Sequence, residues 1–215
     1  KAEDTPMRWI LATIGCAILT AAAVYAGAVW APASQEGGNA YRMLYAHIPL
    51  AAHTLLAFTV ATAAGAVYLA RRNDAADRLA RAAMACGVLL GAAMMLSGMI
   101  WARLAWNQWW DFRSQKLLFA LLLWFLMVGY FLVRAGRPGD ARQKTIAAVY
   151  CLIAYLDVPL VYFSSRLVAG DAHPASVALD HWQMRVALAA AFLAATAVHG
   201  LMLAALLRRQ RHGVL

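Results

Sequence analysis

The chain has 215 residues, 64% of them hydrophobic and 13% charged, and carries a net charge of +9. Apolar runs of about twenty residues recur along it, more than any soluble core of this length needs, which excludes a water-soluble domain and predicts a multi-spanning helical membrane protein. The basic residues gather in a few short stretches, so the charge reads as a topology signal and not as a nucleic-acid footprint.

Six spans are expected, at Met7–Trp30, Pro49–Ala70, Ala82–Trp101, Leu117–Val133, Thr145–Phe163 and Trp182–Leu207. At a rise of about 1.5 Å per residue each can cross a hydrocarbon core of about 30 Å. Arg71, Arg72, Arg78 and Arg81 lie in one connection, Arg134, Arg137, Arg142 and Lys144 in another, and Arg208, Arg209 and Arg211 in the tail. The positive-inside rule then makes these segments and both termini cytoplasmic. The expected fold is all-α, a single transmembrane domain over residues 1–215. Its outward parts are a Trp-rich loop (102–116) and two His-bearing segments (40–48 and 164–181).

The first apolar segment lacks a following small-residue cleavage site and is expected to be a retained span. It has no ionisable group after Arg8, which assigns it packing and anchorage. Beyond it, Pro32 and Gly37–Gly38 mark a loop. Tyr41, Leu44 and Tyr45 then recur at helical spacing, predicting a short interfacial helix that runs into His47, with Pro49 in the first turn of the second span. His53 lies about 9 Å deeper. Ala and Gly abound in the second and third spans, which allows close helix approach. The intervening RRNDAADRLAR is a charged turn with no site assigned to it.

The third span opens into SGMIWARLAWNQWWDFRSQK, with four Trp inside ten residues. If that segment is helical, Trp106, Trp109, Trp110 and Arg113 share one face at i, i+3, i+4 and i+7, with Arg103 one turn earlier. Such a face is flat, aromatic and cationic at both ends, and suits a large planar ligand with an anionic edge. Trp also collects at membrane boundaries as a belt. Here half of the eight Trp fall within Trp101–Trp110, beside a single acid, Asp111, a clustering that a belt does not require.

The fourth span is apolar all round, and the basic RAGRPGDARQK after it is a topology determinant or a docking surface for a cytoplasmic partner. The fifth holds an intramembrane acid, Asp157, which must face the bundle or an aqueous cavity, in a proton relay or as a structural hydrogen-bonding group. Pro159 is expected to kink that helix. The last outward loop supplies Arg166, Asp171, His173, Asp180 and His181. Counting rise from His181 places His199 about 27 Å deeper, which predicts that it lies apart from His53. Cys16, Cys86 and Cys151 fall within spans without a CxxC pairing and read as packing residues. No Walker loop or dinucleotide fingerprint is present, so any energy input must come from a partner.

A Trp-rich cationic platform, His47, His173 and several Arg thus converge on one side. Two neutral imidazoles make an axial pair for haem iron, aromatic faces stack on the macrocycle, and Arg42, Arg103, Arg113 and Arg166 are candidate partners for the propionates. Zinc, with Asp171 as a further ligand, is the rival.

YRMLYAHIP, then GMIWARLAWNQWWDFR, then DVPLVYFS followed by a loop His resemble, in that order, the WWD-motif family of haem-handling proteins, in its CcmC branch of bacterial cytochrome c maturation. The resemblance covers about Tyr41 to Met184. It implies that Trp106, Trp109, Trp110 and Asp111 form a haem platform and that His47 and His173 are axial ligands. The family signature runs W-G-x-x-W-x-W-D, whereas Trp106-Asn107-Gln108-Trp109-Trp110-Asp111 is shorter and lacks that Gly.

The resemblance further implies a non-enzymatic protein of the bacterial inner membrane that binds haem b transiently at its periplasmic face. It would hand the haem to a haem chaperone, alongside an ABC-type ATPase, a second membrane subunit and a small single-span subunit, in contact with membrane lipid and with no nucleic acid. Two other readings stay open. One is a permease that conducts haem or another solute past polar groups such as His53, Asp157 and His199; the other is an assembly subunit whose Trp loop docks a protein.

Overall fold

The computed structural model describes residues 6–135, 140–167, 173–174 and 176–211. Among them no strand forms, and seven α-helices supply six apolar segments long enough to cross a membrane. Helix α1 is Pro6–Tyr25, extended by a π-turn over Ala26–Trp30. A 3-10 turn at Asn39–Met43 leads into α2, Leu44–Arg71. Helices α3 (Asp74–Trp106), α4 (Gln115–Val133), α5 (Ala141–Ala154), α6 (Asp157–Leu167) and α7 (Trp182–Arg211) follow.

The fifth span is two helices, and Pro159 explains the break. A proline nitrogen carries no hydrogen to donate to the carbonyl four residues back, that of Tyr155. That carbonyl accepts instead from Val158 at 3.0 Å, closing a tight turn between α5 and α6.

Helices α2 to α5 enclose the main core, around Phe58, Met84, Leu123, Met127, Tyr130 and Cys151. Lipid tails are as apolar as these side chains, so association rests on close contact and buried hydrogen bonds. Gly65 faces the Ala148 backbone, and a Cβ there would sit 3.5 Å from it. Trp124 donates to the Val88 carbonyl at 3.1 Å and Tyr150 to the Leu126 carbonyl at 2.9 Å. All three cysteines are buried and unpaired with one another, as packing residues should be.

The arginine end of the bundle is stapled by charge. Arg134 makes a two-pronged bond to Asp77 (2.6 and 3.0 Å) beneath the Tyr130 ring, and Lys144 bonds Asp74 at 2.7 Å. Arg208 lies over Trp9, which puts the start of α1 and the end of α7 at this same end. At the opposite end Trp30 meets Trp182 edge-on, 5.4 Å between centroids. Asp180 there accepts from the Gln35 amide (2.9 Å) and the Ser34 hydroxyl (3.3 Å), tying the segment before α7 to the loop after α1.

Two expectations about helix starts are corrected. Helix α2 begins at Leu44, so Pro49 lies inside it and not in its first turn. His199 is not remote from His53: their rings are 5.7 Å apart, edge to face, and both are buried. Counted from the helix starts, His53 is about 14 Å along α2 and His199 about 26 Å along α7, so α7 begins roughly 12 Å farther out than α2. A depth count that treats the starts as flush misses this stagger.

Candidate functional site

The site is built at the end away from the arginines. His47 sits one turn into α2 and turns towards α3, where its Nδ1 lies 3.2 Å from the Met94 carbonyl and 3.2 Å from Ser97 Oγ. A carbonyl only accepts, so Nδ1 carries the proton and Nε2 keeps the lone pair. Glycine at position 98 makes room for the ring: a Cβ there would fall 2.9 Å from His47 Cε1. His173 comes from the connection between α6 and α7, and its Nδ1 donates to the Pro174 carbonyl at 2.9 Å, which again leaves the lone pair on Nε2.

The two rings are 6.4 Å apart, centroid to centroid, and inclined at 45°. Two imidazoles bound on opposite sides of one metal at about 2 Å each place their centroids roughly 6 Å apart. Backbone hydrogen bonds to Nδ1, which fix tautomer and orientation, are the usual outer support of metal-binding histidine. Among the described residues no group of three or more His, Cys, Asp or Glu gathers around a point, so nothing there offers zinc a closed ligand set. Asp171 and the Arg166 side chain lie outside the described residues.

Trp101 is the hub. Only 2% exposed, it stands 5.7 Å from His47, 5.8 Å from His173, 5.6 Å from Trp106 and 6.1 Å from Tyr41. Its indole Nε1 is buried without a partner. By sequence Trp101 counts in the tryptophan cluster but has no place on the proposed platform face. The α3 spacing Met94, Ser97, Gly98 and Trp101 was the available signal, since those positions share the face that meets His47.

The single helical face proposed for Trp106, Trp109, Trp110 and Arg113 does not form. Helix α3 stops at Trp106 because Asn107 adopts the left-handed conformation (φ 56°, ψ 25°), a usual helix ending for asparagine. Arg103 donates to the Asn107 carbonyl at 2.8 Å and to its side chain, sealing that end. Residues 108–114 then turn as a loop in which Trp109 is 56% exposed and Trp110 packs near Phe112, 6.3 Å between ring centroids, with Nε1 buried and unpartnered.

Asp111 organises this loop. Its carboxylate accepts from the Arg113 amide at 2.9 Å and from Arg113 Nε at 3.2 Å, and these bonds, the amide first, hold its carboxyl below the usual carboxylate range. Arg113 itself projects into solvent, its side chain 89% exposed. Arg42 does not join the histidines. It donates from Nη1 to the Gly27 carbonyl (2.9 Å) and from Nε to Asn39 (3.1 Å), and so is committed to α1.

The CcmC family profile, described as heme exporter protein C, matches residues 3–215. The chain belongs to the CcmC family. It is 29% identical to a protein named heme exporter protein C from Haemophilus influenzae over 153 residues, 69% of this chain and 61% of that relative. The namesake from Escherichia coli K12 is 28% identical over 153 residues, 69% and 62% of the two chains. A putative cytochrome c biosynthesis ccmC-like mitochondrial protein of Marchantia polymorpha is 24% identical over 149 residues, 69% and 62%. The chain thus spans about six tenths of the length of these curated relatives. CcmC membership and six apolar segments make it a multi-pass membrane protein.

Proposed function

We propose that this CcmC-family chain binds haem at its tryptophan-rich end, between His47 and His173, and presents it for cytochrome c maturation. The observation that carries the reading is the apposition of two imidazoles from separate segments, the first turn of α2 and the α6–α7 connection, 6.4 Å apart, each with its Nδ1 proton committed to a carbonyl. Haem is cargo in this account. The iron would take an Nε2 lone pair on each side, and the orphaned indole donors of Trp101 and Trp110 fit a ligand with acceptor groups at its rim. Exposed Trp109 and Phe112 offer apolar surface to a macrocycle or to a receiving protein.

The positive-inside rule, applied to the arginine end, supports a cytoplasmic position for both termini and a periplasmic one for the site in a bacterial inner membrane. The partners of this reading are those the family resemblance implies: a periplasmic haem chaperone, an ABC-type ATPase with a second membrane subunit, and a small single-span subunit; the relatives' names, heme exporter and cytochrome c biosynthesis, support only the pathway. The haem is of b type, bound transiently, and the chain is assigned no covalent chemistry of its own.

Haemin titration of the purified protein tests the reading. Soret absorbance should saturate for the native chain and for His181→Ala, and binding should weaken by at least tenfold for His47→Ala and for His173→Ala. Equal titrations for all four proteins would overturn it.

A further inference from the structure

A second feature of the bundle is unrelated to the histidines. Helix α7 packs against both α1 and α2, and presents a floor of small side chains, Ala191, Ala194 and Ala195, between them. At the tryptophan end α1 and α2 meet, because Gly27 lets the Tyr45 ring lie directly on the α1 backbone; a Cβ there would come 2.7 Å from the ring. The helices then diverge, and the space between them is a cavity of about 410 Å³. Val24, which lines it, is 62% exposed, so the cavity opens sideways into the region that α1's outer face shares with the lipid. Arg42 lines the cavity at its tryptophan end, held by the Gly27 carbonyl and Asn39.

We propose that this slot holds one acyl chain of a membrane phospholipid whose phosphate pairs with Arg42. The apolar wall offers water too few partners to stay there, and leaving the slot empty would forfeit the dispersion contacts of its lining. At about 30 Å³ per water-sized group, the volume accepts roughly fourteen such groups, the scale of a fatty acyl chain. A partner helix does not fit. With a diameter of about 10 Å, it would need roughly twice this volume over the ~12 Å between the levels of Arg42 and Leu50. The cation selects the head group: Nε and one Nη1 hydrogen are engaged with Asn39 and Gly27, and the rest of the guanidinium fork is shaped for phosphate oxygens.

Native mass spectrometry of the full chain, delipidated in mild detergent and titrated with palmitoyl-oleoyl phosphatidylglycerol, reads the proposal. The wild type should retain one phospholipid that Ala194→Phe, which fills the floor, does not. Arg42→Gln should bind it at least tenfold more weakly with unchanged helical circular dichroism. Ala195→Phe, on the same floor, serves if Ala194→Phe does not fold. Equal retention by all variants overturns the proposal, as does a wild type that retains none. A slot emptied of lipid by haemin, with the Soret band lost in Ala194→Phe, overturns it too and gives the slot to the cargo.

Discussion

Replacing Gly98 with alanine should uncouple haem affinity from stability. The new methyl would sit 2.9 Å from His47 Cε1 and 3.3 Å from Nδ1. Carbon–carbon contacts settle at about 3.5–4.0 Å, so the ring must retreat from α3 by roughly 0.6 Å or more. Met94 and Ser97, which hold Nδ1 at 3.2 Å, are both on α3, and the retreat stretches those contacts beyond hydrogen-bonding distance. Losing the bond is worth about 1 kcal/mol, and a displaced ligand adds to it, so haem should bind about tenfold more weakly, at 1.4 kcal/mol per tenfold. Overpacking costs about 1–3 kcal/mol, while Ala gains about 1 kcal/mol over Gly in a helix, leaving a net loss of roughly 0–2 kcal/mol. Haemin titration and thermal melts by circular dichroism read the two separately. Gly91→Ala is the control: its Cβ would meet Trp124 Cδ1 at 2.8 Å, away from His47, so it should lower the melting temperature and leave haem affinity alone. An unchanged affinity in Gly98→Ala would refute the placement of His47 as a ligand.

Other outcomes follow from the same geometry. Asp77→Ala strands the Arg134 guanidinium at the arginine end and should cost about 3–5 kcal/mol, part of it recovered in the Asp77→Ala/Arg134→Met double variant; thermal melts of the four proteins give the coupling. Trp101→Ala should cost about 3–5 kcal/mol and also weaken haem binding, whereas exposed Trp109→Ala should shift stability by less than about 0.5 kcal/mol. The Asp111 carboxyl is held below its unfolded value of 3.8. Its support for the loop is therefore full above that value and is lost as pH falls through the lower folded one. Tryptophan fluorescence of the loop should be flat from pH 6 to about pH 4.5 and change below about pH 4, and Asp111→Asn should abolish that acid step. An unaltered step in Asp111→Asn would mean that another group controls the loop.

Much of the fold was legible because bilayer thickness and backbone hydrogen bonding leave few choices: the apolar runs became spans, the basic stretches gathered at one end, and Pro159 broke the fifth span. His47 and His173 could be brought to one side from sequence because both fall away from the basic stretches, and their rings lie 6.4 Å apart. What was hidden depended on how helices end and stagger. Trp106, Trp109 and Trp110 were read as one helical face, yet Asn107 stops the helix, and its tolerance of the left-handed region was the clue. Trp101 was counted in the cluster without a role of its own, since His47, His173 and Tyr41, which surround it, come from three other segments that no local pattern joins. His53 and His199 looked far apart because rise was counted from starts that are not level. Arg42 was grouped with the outer cations, whereas its side chain turns to Gly27 on the other flank of α2.

Ligation of one haem iron by both His47 and His173 is read by electron paramagnetic resonance of the ferric haem-loaded protein. A low-spin bis-imidazole signal is expected in the native chain, a high-spin signal in both His47→Ala and His173→Ala, and return of the low-spin form when free imidazole is added to either variant. A low-spin signal that persists unchanged in either single variant would contradict it.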